Sequence, residues 1–164
     1  MKNVNMGKHT YGLTNFKIVG ANRGVVNFGK YCSLGDSIVA FMAHDHDSRS
    51  ISSYPFNRHK VARKQIINVG NDVFIGSNTV LFRDITIGDG AFIGAFSVVT
   101  KNIPPYSVVV GHSNIIRKRF SDEDIDFLLK LKWWDFKDSE VNKIAPILCS
   151  QDIDKLKRLY GTNN

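Results

Sequence analysis

Cysteine is scarce in this chain: two in 164 residues, Cys32 and Cys149, with no metal-like spacing between them. That argues against a cysteine-built metal site, and Cys32, which falls in the repeat register described below, reads as a buried and inert thiol. Long apolar runs are missing too. No stretch approaches the roughly 20 residues of a membrane span, and the N-terminus, MKNVNMGKHTYG, lacks the apolar core of a signal peptide. A cytoplasmic location is therefore expected. Acids are outnumbered, 15 Asp and Glu against 22 Lys and Arg, for a net charge of +7. The excess suits an anionic partner, but no recognised nucleic-acid-binding motif accompanies it. Basic residues gather in RHKVARK (Arg58–Lys64) and RKR (Arg117–Arg119). A solvated surface and a phosphate-rich small molecule, which needs only two or three of them, both fit.

What the chain does have is a period of six. Val69, Ile75, Leu81, Ile87, Ile93 and Val99 are large aliphatics at steps of six, and the next positions are Gly70, Gly76, Phe82, Gly88, Gly94 and Thr100. Four residues after each aliphatic stand Val73, Thr79, Ile85, Ala91, Ser97 and Ile103, small or β-branched throughout. A fixed hexad of this kind predicts a mostly β fold, a parallel β-helix in which each hexad gives one short strand and a corner. The aliphatics are expected to stack inward, and the glycines to relieve the backbone at or near the corners. Phe28–Ser33 and Leu34–Val39 are two earlier hexads, and Ile18–Gly20 reads as a degenerate one.

The period is lost between Phe41 and Ile67, where the chain turns polar, so a loop over about 41–66 should project from the coil. Pro104-Pro105 removes two backbone donors, which predicts that the ladder stops there. Beyond, Ser121 followed by Asp122, Glu123 and Asp124 reads as a capped helix start, with further helical patterns near Ser139–Leu148 and Asp152–Tyr160. The expected organisation is a coil over 1–110 with its projecting loop, and a helical extension over 111–164.

With these residues placed, the chain resembles the hexapeptide-repeat acyltransferases. More closely, it is similar to the branch holding xenobiotic (chloramphenicol and streptogramin A) acetyltransferases and their polysaccharide-modifying relatives. The matching text is KYCSLGD (Lys30–Asp36), ISSYPF (Ile51–Phe56), VGNDVFIGSN (Val69–Asn78), IGDGAFIGAFSVVTKNIPPYSVVVG (Ile87–Gly111) and IRKRFSDEDIDFLLKLKWWDF (Ile116–Phe136). The resemblance implies a left-handed coil, a homotrimer with sites between subunits, and acetyl-CoA as acyl donor.

Moving an acetyl group from a thioester to a hydroxyl needs a base for the hydroxyl proton. The family carries a histidine eight residues before an aromatic-Pro-Phe sequence, and His46 keeps that count to Tyr54-Pro55-Phe56. His46 is the implied general base. His44 lacks such support, and Asp45 and Tyr54 are placed on the acceptor side. On the donor side the resemblance maps acetyl-CoA contacts onto Ser77, Ala95, Thr100 and Lys101, with Lys101 and Arg117 available to the nucleotide phosphates. Small residues at Gly94 and Ala95 would let a pantetheine arm lie against the backbone.

The chain departs from the family pattern in places. Ser50 stands where a tryptophan is common, the segment from Phe56 to Val69 is shorter than in antibiotic-modifying members, and Gly111-His112-Ser113-Asn114 is one residue short of the usual Gly-Asn-Pro-Ala-Lys. The leading expectation is acetyl transfer to a hydroxyl of a sugar or glycan precursor. Antibiotic acetylation and N-acetylation of an amino sugar are the alternatives within the family. A metal-dependent hydratase on the same coil would need about three imidazoles, and no histidine falls between Val69 and Val99; no metal is expected. A non-catalytic scaffold is the remaining alternative.

Overall fold

In the computed structural model, residues 3–20, 24–42, 49–54, 56 and 65–161 are described. Among the described residues thirteen strands come first along the chain: β1 (Val4–Met6), β2 (Lys17–Val19), β3 (Gly24–Phe28), β4 (Ser33–Leu34), β5 (Val39–Phe41), β6 (Gln65–Val69), β7 (Phe74–Ile75), β8 (Val80–Phe82), β9 (Ile85–Ile87), β10 (Phe92–Ile93), β11 (Val98–Val99), β12 (Ser107–Val110) and β13 (Asn114–Lys118). They form three sheets visited in rotation. β1, β3, β6 and β9 make the first face, β4, β7, β10 and β12 the second, and β2, β5, β8 and β11 the third. All pairings within these faces are parallel, and only β13 runs antiparallel, along β12. A parallel coil with three sides results.

The register explains the hexads. Phe28 pairs with Val69 and Val69 with Ile87, Leu34 with Ile75 and Ile75 with Ile93, Ala40 with Leu81 and Leu81 with Val99. Each column points inward and is buried. Strands alternate because only one side of each faces this core: β6 and β9 bury every second residue. Cys32 is enclosed with them, its thiol pushed up by burial.

Equivalent residues of successive coils lie 22, 41, 18 and 16 positions apart. The variation falls at one place, the corner from third to first face: β8 and β9 are nearly continuous, whereas Phe41 and Gln65 flank the long insertion. Of that loop, 43–48, 55 and 57–64 lie outside the described residues.

Two sequence expectations need correction. The repeat glycines are not where the backbone turns left-handed. Gly35, Gly70, Gly76 and Gly88 are required because a Cβ would strike the next coil, at 2.4 Å from the Ala95 amide nitrogen in the case of Gly76 and 2.5 Å from that of Ser77 in the case of Gly35. Positive φ falls instead on residues such as Tyr31, Asp72 and Tyr106 at the corner between first and second faces, and on Ser37, Asn78, Phe96 and Ser113 at the next corner. Nor do the prolines end the ladder. They sit in a corner, where no strand hydrogen bond is required of them, and β12 resumes the second face beyond them.

After β13 the chain becomes helical. In α1 (Asp122–Leu131) the Ser121 hydroxyl accepts the Asp124 N–H at 3.2 Å, and acidic residues fill the positive first turn. The helix stops where Lys132 turns left-handed. A single 3-10 turn, Trp133–Asp135, leads to α2 (Asp138–Leu148) and α3 (Ile153–Tyr160). A second apolar cluster forms from Ile125, Leu128, Trp133, Trp134, Val141, Ile144 and Leu156, and the coil contributes Tyr106 to it. Polar links reinforce the seam, Lys8 to Asp138 at 2.6 Å and Lys30 to Asp135 at 3.0 Å. Both are solvent-exposed, so the shared apolar cluster does most of the holding.

Candidate functional site

Four of the donor-side candidates, Ser77, Ala95, Thr100 and Lys101, spread along the edges of the third face. Ser77 and Ala95 are successive members of the corner between second and third faces, one coil apart. One coil earlier in the same column, the Asp36 N–H donates to the Ser77 hydroxyl at 3.1 Å. The step from Ser77 to Ala95 breaks this ladder, because an alanine methyl cannot accept the Ser77 amide. The break lies in the open: Ala95 and the neighbouring Phe96 are exposed, and Gly76 lets the two coils approach closely. A backbone donor beside a small residue on an accessible edge is what a ligand carbonyl can use.

Thr100 and Lys101 sit at the corner between third and first faces, and both are exposed. The Thr100 amide is already engaged: it donates to Ser113 Oγ at 2.8 Å, and that hydroxyl in turn donates to the Val98 carbonyl at 3.1 Å. What Thr100 can offer a ligand is its side chain, whose hydroxyl is 3.3 Å from Ser113 Oγ. Sequence reasoning missed Ser113, a buried serine that seals the end of the coil. The altered text after Gly111 marks the place without revealing the contact.

Arg117 is on β13, opposite Val108, and so extends the second face. Its Nη1 donates to the Lys118 carbonyl at 3.1 Å, leaving the charge in solvent. Lys101 is at the corner opposite that face, so one chain does not place the two cations side by side. Tyr54 is exposed, its ring against Phe56 at 4.8 Å. His46 and Asp45, like His44, lie outside the described residues. Among the described residues no three His, Cys, Asp or Glu side chains gather as a metal site would require, and no helix is long and apolar enough to cross a membrane.

Comparison with known proteins places this architecture. Residues 67–101 match the bacterial transferase hexapeptide family (six repeats). The chain is 35% identical over 161 residues to a chloramphenicol acetyltransferase of Agrobacterium fabrum, covering 88% of this chain and 75% of that protein. It is 36% identical over 148 residues to a probable macrolide acetyltransferase of Lysinibacillus sphaericus, covering 81% of this chain and 82% of the relative. Among solved structures, a hexapeptide-repeat acetyltransferase of Vibrio cholerae complexed with acetyl-CoA superposes with a TM-score of 0.61 at 26% identity, over 73% of this chain and 62% of that one. The chain belongs to the hexapeptide-repeat acetyltransferases, in the branch of the xenobiotic acetyltransferases.

Proposed function

We propose that this protein is an acetyl-CoA-dependent O-acetyltransferase acting on a hydroxyl of a sugar or glycan precursor. Family membership across nearly the whole chain carries the reading of acetyl transfer, and the accessible step from Ser77 to Ala95 supports the placement of the donor. The pantetheine arm lies along the exposed edge at Gly94–Ala95, with a carbonyl on the Ser77 amide. Thr100 contributes its side chain, and Lys101 and Arg117 hold nucleotide phosphates. Their separation within one chain suits a donor bound between neighbouring subunits, each supplying one cation.

His46 is the general base in this reading. The acceptor oxygen attacks the thioester carbonyl carbon as the imidazole takes its proton. The tetrahedral intermediate collapses with cleavage of the C–S bond, and the imidazolium returns the proton to the departing sulfur. Ester and free CoA thiol leave, and the base is regenerated. Tyr54 and Asp45 border the acceptor.

The assembly proposed is a homotrimer of left-handed coils with sites at the subunit boundaries. Exposed apolar side chains support burial against copies: Phe92 and Val110 on the second face, Ile115 and Ile116 on the strand that extends it, and Phe96 at the adjoining corner. The coil over 1–110 would carry the chemistry, and the extension over 111–164 would brace it.

A second reading, acetylation of an antibiotic, is favoured by the names of the two relatives above. The shortened segment between Phe56 and Val69 counts against it, because antibiotic-modifying members use such loops to enclose a bulky acceptor. Thiol release from acetyl-CoA, measured against sugars, nucleotide sugars, chloramphenicol and a streptogramin A, decides between them. Turnover with a saccharide supports the proposal, turnover confined to an antibiotic replaces it with the second reading, and no thiol release with any acceptor overturns both.

A further inference from the structure

The corner between first and second faces lies away from Ser77, Ala95, Thr100 and Lys101, and it opens onto a cavity of about 420 Å³ beneath the helical extension. That is within the usual size of small-molecule pockets, roughly 300–1,000 Å³. At this corner each coil turns through a left-handed residue: His9, Tyr31, Asp72, Gly90 and Tyr106. The helices pass over this column without filling the space between. Tyr31, Trp133, Leu128, Val141 and Ala145 supply an apolar and aromatic wall.

The coil side is polar and incompletely served. Arg119 Nη1 donates to the Gly90 carbonyl at 2.7 Å and stands 3.6 Å from an Asp72 carboxylate oxygen. Its guanidinium carbon lies 5.5 Å and 5.3 Å from the ring centres of Tyr106 and Phe120. These contacts leave Nε and Nη2 without a protein acceptor among the described residues. The adjoining Tyr106 hydroxyl is buried and also has no hydrogen-bond partner among them. The free guanidinium edge thus borders an aromatic-walled cavity, where a planar anion can serve it with two oxygens, whereas the enclosed Tyr106 hydroxyl is out of a ligand's reach.

We propose that this cavity is a second ligand site, for a small monocarboxylate with an aromatic or aliphatic body. The carboxylate takes the free edge of Arg119, and the body packs on Tyr31, Trp133 and Leu128. Asp72 and Asp152 also line the cavity, so the anion is held by the Arg119 edge against their charge, and a neutral amide would forfeit the paired charge. The site is independent of the acyl-transfer reading, because none of the residues assigned to donor or acceptor lines it.

The two tryptophans of the chain, Trp133 and Trp134, provide the readout. The full chain is titrated with 4-phenylbutyrate, and with 4-phenylbutanamide as the neutral control, while tryptophan emission is followed. The expected result is a saturable change with millimolar affinity for the carboxylate and binding about tenfold weaker for the amide, a typical margin for a charge-assisted pair. Arg119→Lys, which keeps the charge but loses the planar fork, should weaken carboxylate binding by a similar factor. Ala145→Phe should abolish the response by filling the cavity, while leaving acetyl-CoA binding unchanged; Ala145→Leu serves if the larger side chain does not fold. No saturable response in the wild type overturns the proposal, as it would if a second copy of the chain covered the cavity. Equal binding of the amide overturns the ligand class. Binding that survives the filled cavity, or is displaced by acetyl-CoA, overturns the location.

Discussion

Arg119 Nη1 approaches Asp72 Oδ2 at 3.6 Å, joining the end of the last strand to a corner of the coil that the chain passed long before. The surroundings act against the charge on the acid. Burial pushes the Asp72 carboxyl up to about 6, in spite of the pull of Arg119 and with a smaller push from Asp89. Because the folded-state value is raised, the folded protein binds this proton more tightly than the unfolded chain does. The resulting stabilisation is complete below about pH 4 and is lost as pH rises through about 6.

Asp72→Asn should remove that dependence. Other carboxylates titrate in the opposite sense: hydrogen bonds from Lys157 and Ser121 hold Asp124 low, and those from Lys8 and His9 hold Asp138 low. The informative quantity is therefore the difference between wild type and variant. Urea unfolding at pH 4 and pH 7.5 should show the wild type losing about 1–3 kcal/mol relative to the Asp72→Asn variant across that interval. A constant difference would show that the carboxyl is not held up by burial.

Glycines in the repeat are needed for close approach, and this can be separated from a need for left-handed backbone. Gly76→Ala would place a methyl 2.4 Å from the Ala95 amide nitrogen and should lower stability by about 1–3 kcal/mol. Gly111 has φ +59° with nothing within 4 Å of an added Cβ, so Gly111→Ala should cost only about 1 kcal/mol, from backbone conformation alone. Chemical denaturation of the two variants under one set of conditions provides the comparison, and the reverse order would restore the conformational explanation.

On the donor side, Lys101→Ala and Arg117→Ala should each weaken acetyl-CoA binding by about 1.5–3 kcal/mol if their phosphate contacts are shielded at a subunit boundary. Solvent exposure places the expectation at the lower end, and added salt should reduce the effect. Calorimetric titration with acetyl-CoA at two ionic strengths measures both, and unchanged affinity in both variants would remove these cations from the site.

His46 and His44 should behave differently. His46→Ala should lower kcat by roughly 10²–10⁴ while sparing acetyl-CoA affinity, since the base acts only when the acceptor attacks. His44→Ala should retain most activity. Steady-state rates on an acceptor that turns over, paired with donor affinities, test the assignment; the reverse pattern would move the base to His44.

Much of the coil could be read from the chain, because a period of six is a local property. Val69, Ile87, Ile75, Ile93, Leu81 and Val99 meet in columns because each sits at the same phase of a three-sided turn, and the phase is written in the order of the residues. Ser121 and the acids after it announced α1 for the same reason: a cap is satisfied within three residues. Ser77 and Ala95 could be singled out only through resemblance. Why they matter physically, a hydroxyl followed by a methyl in a ladder of amide acceptors, became visible once the coils were stacked.

Tertiary structure alone decided the rest. The space a glycine must leave is set by a neighbouring coil that sequence order does not reveal, so Gly76 is explained by Ala95 and not by its own φ. Ser113 closes on Thr100, Tyr106 leaves the coil core to join the tryptophans of the helical extension, and Arg119 returns to Asp72 and Gly90 over a long stretch of chain. None of these contacts has a period or a local pattern to betray it. The sequence determined which residues face inward, since alternation and repetition are local; which distant polar groups would meet, and the cavity left above them, depended on how the extension settles over the corner of the coil.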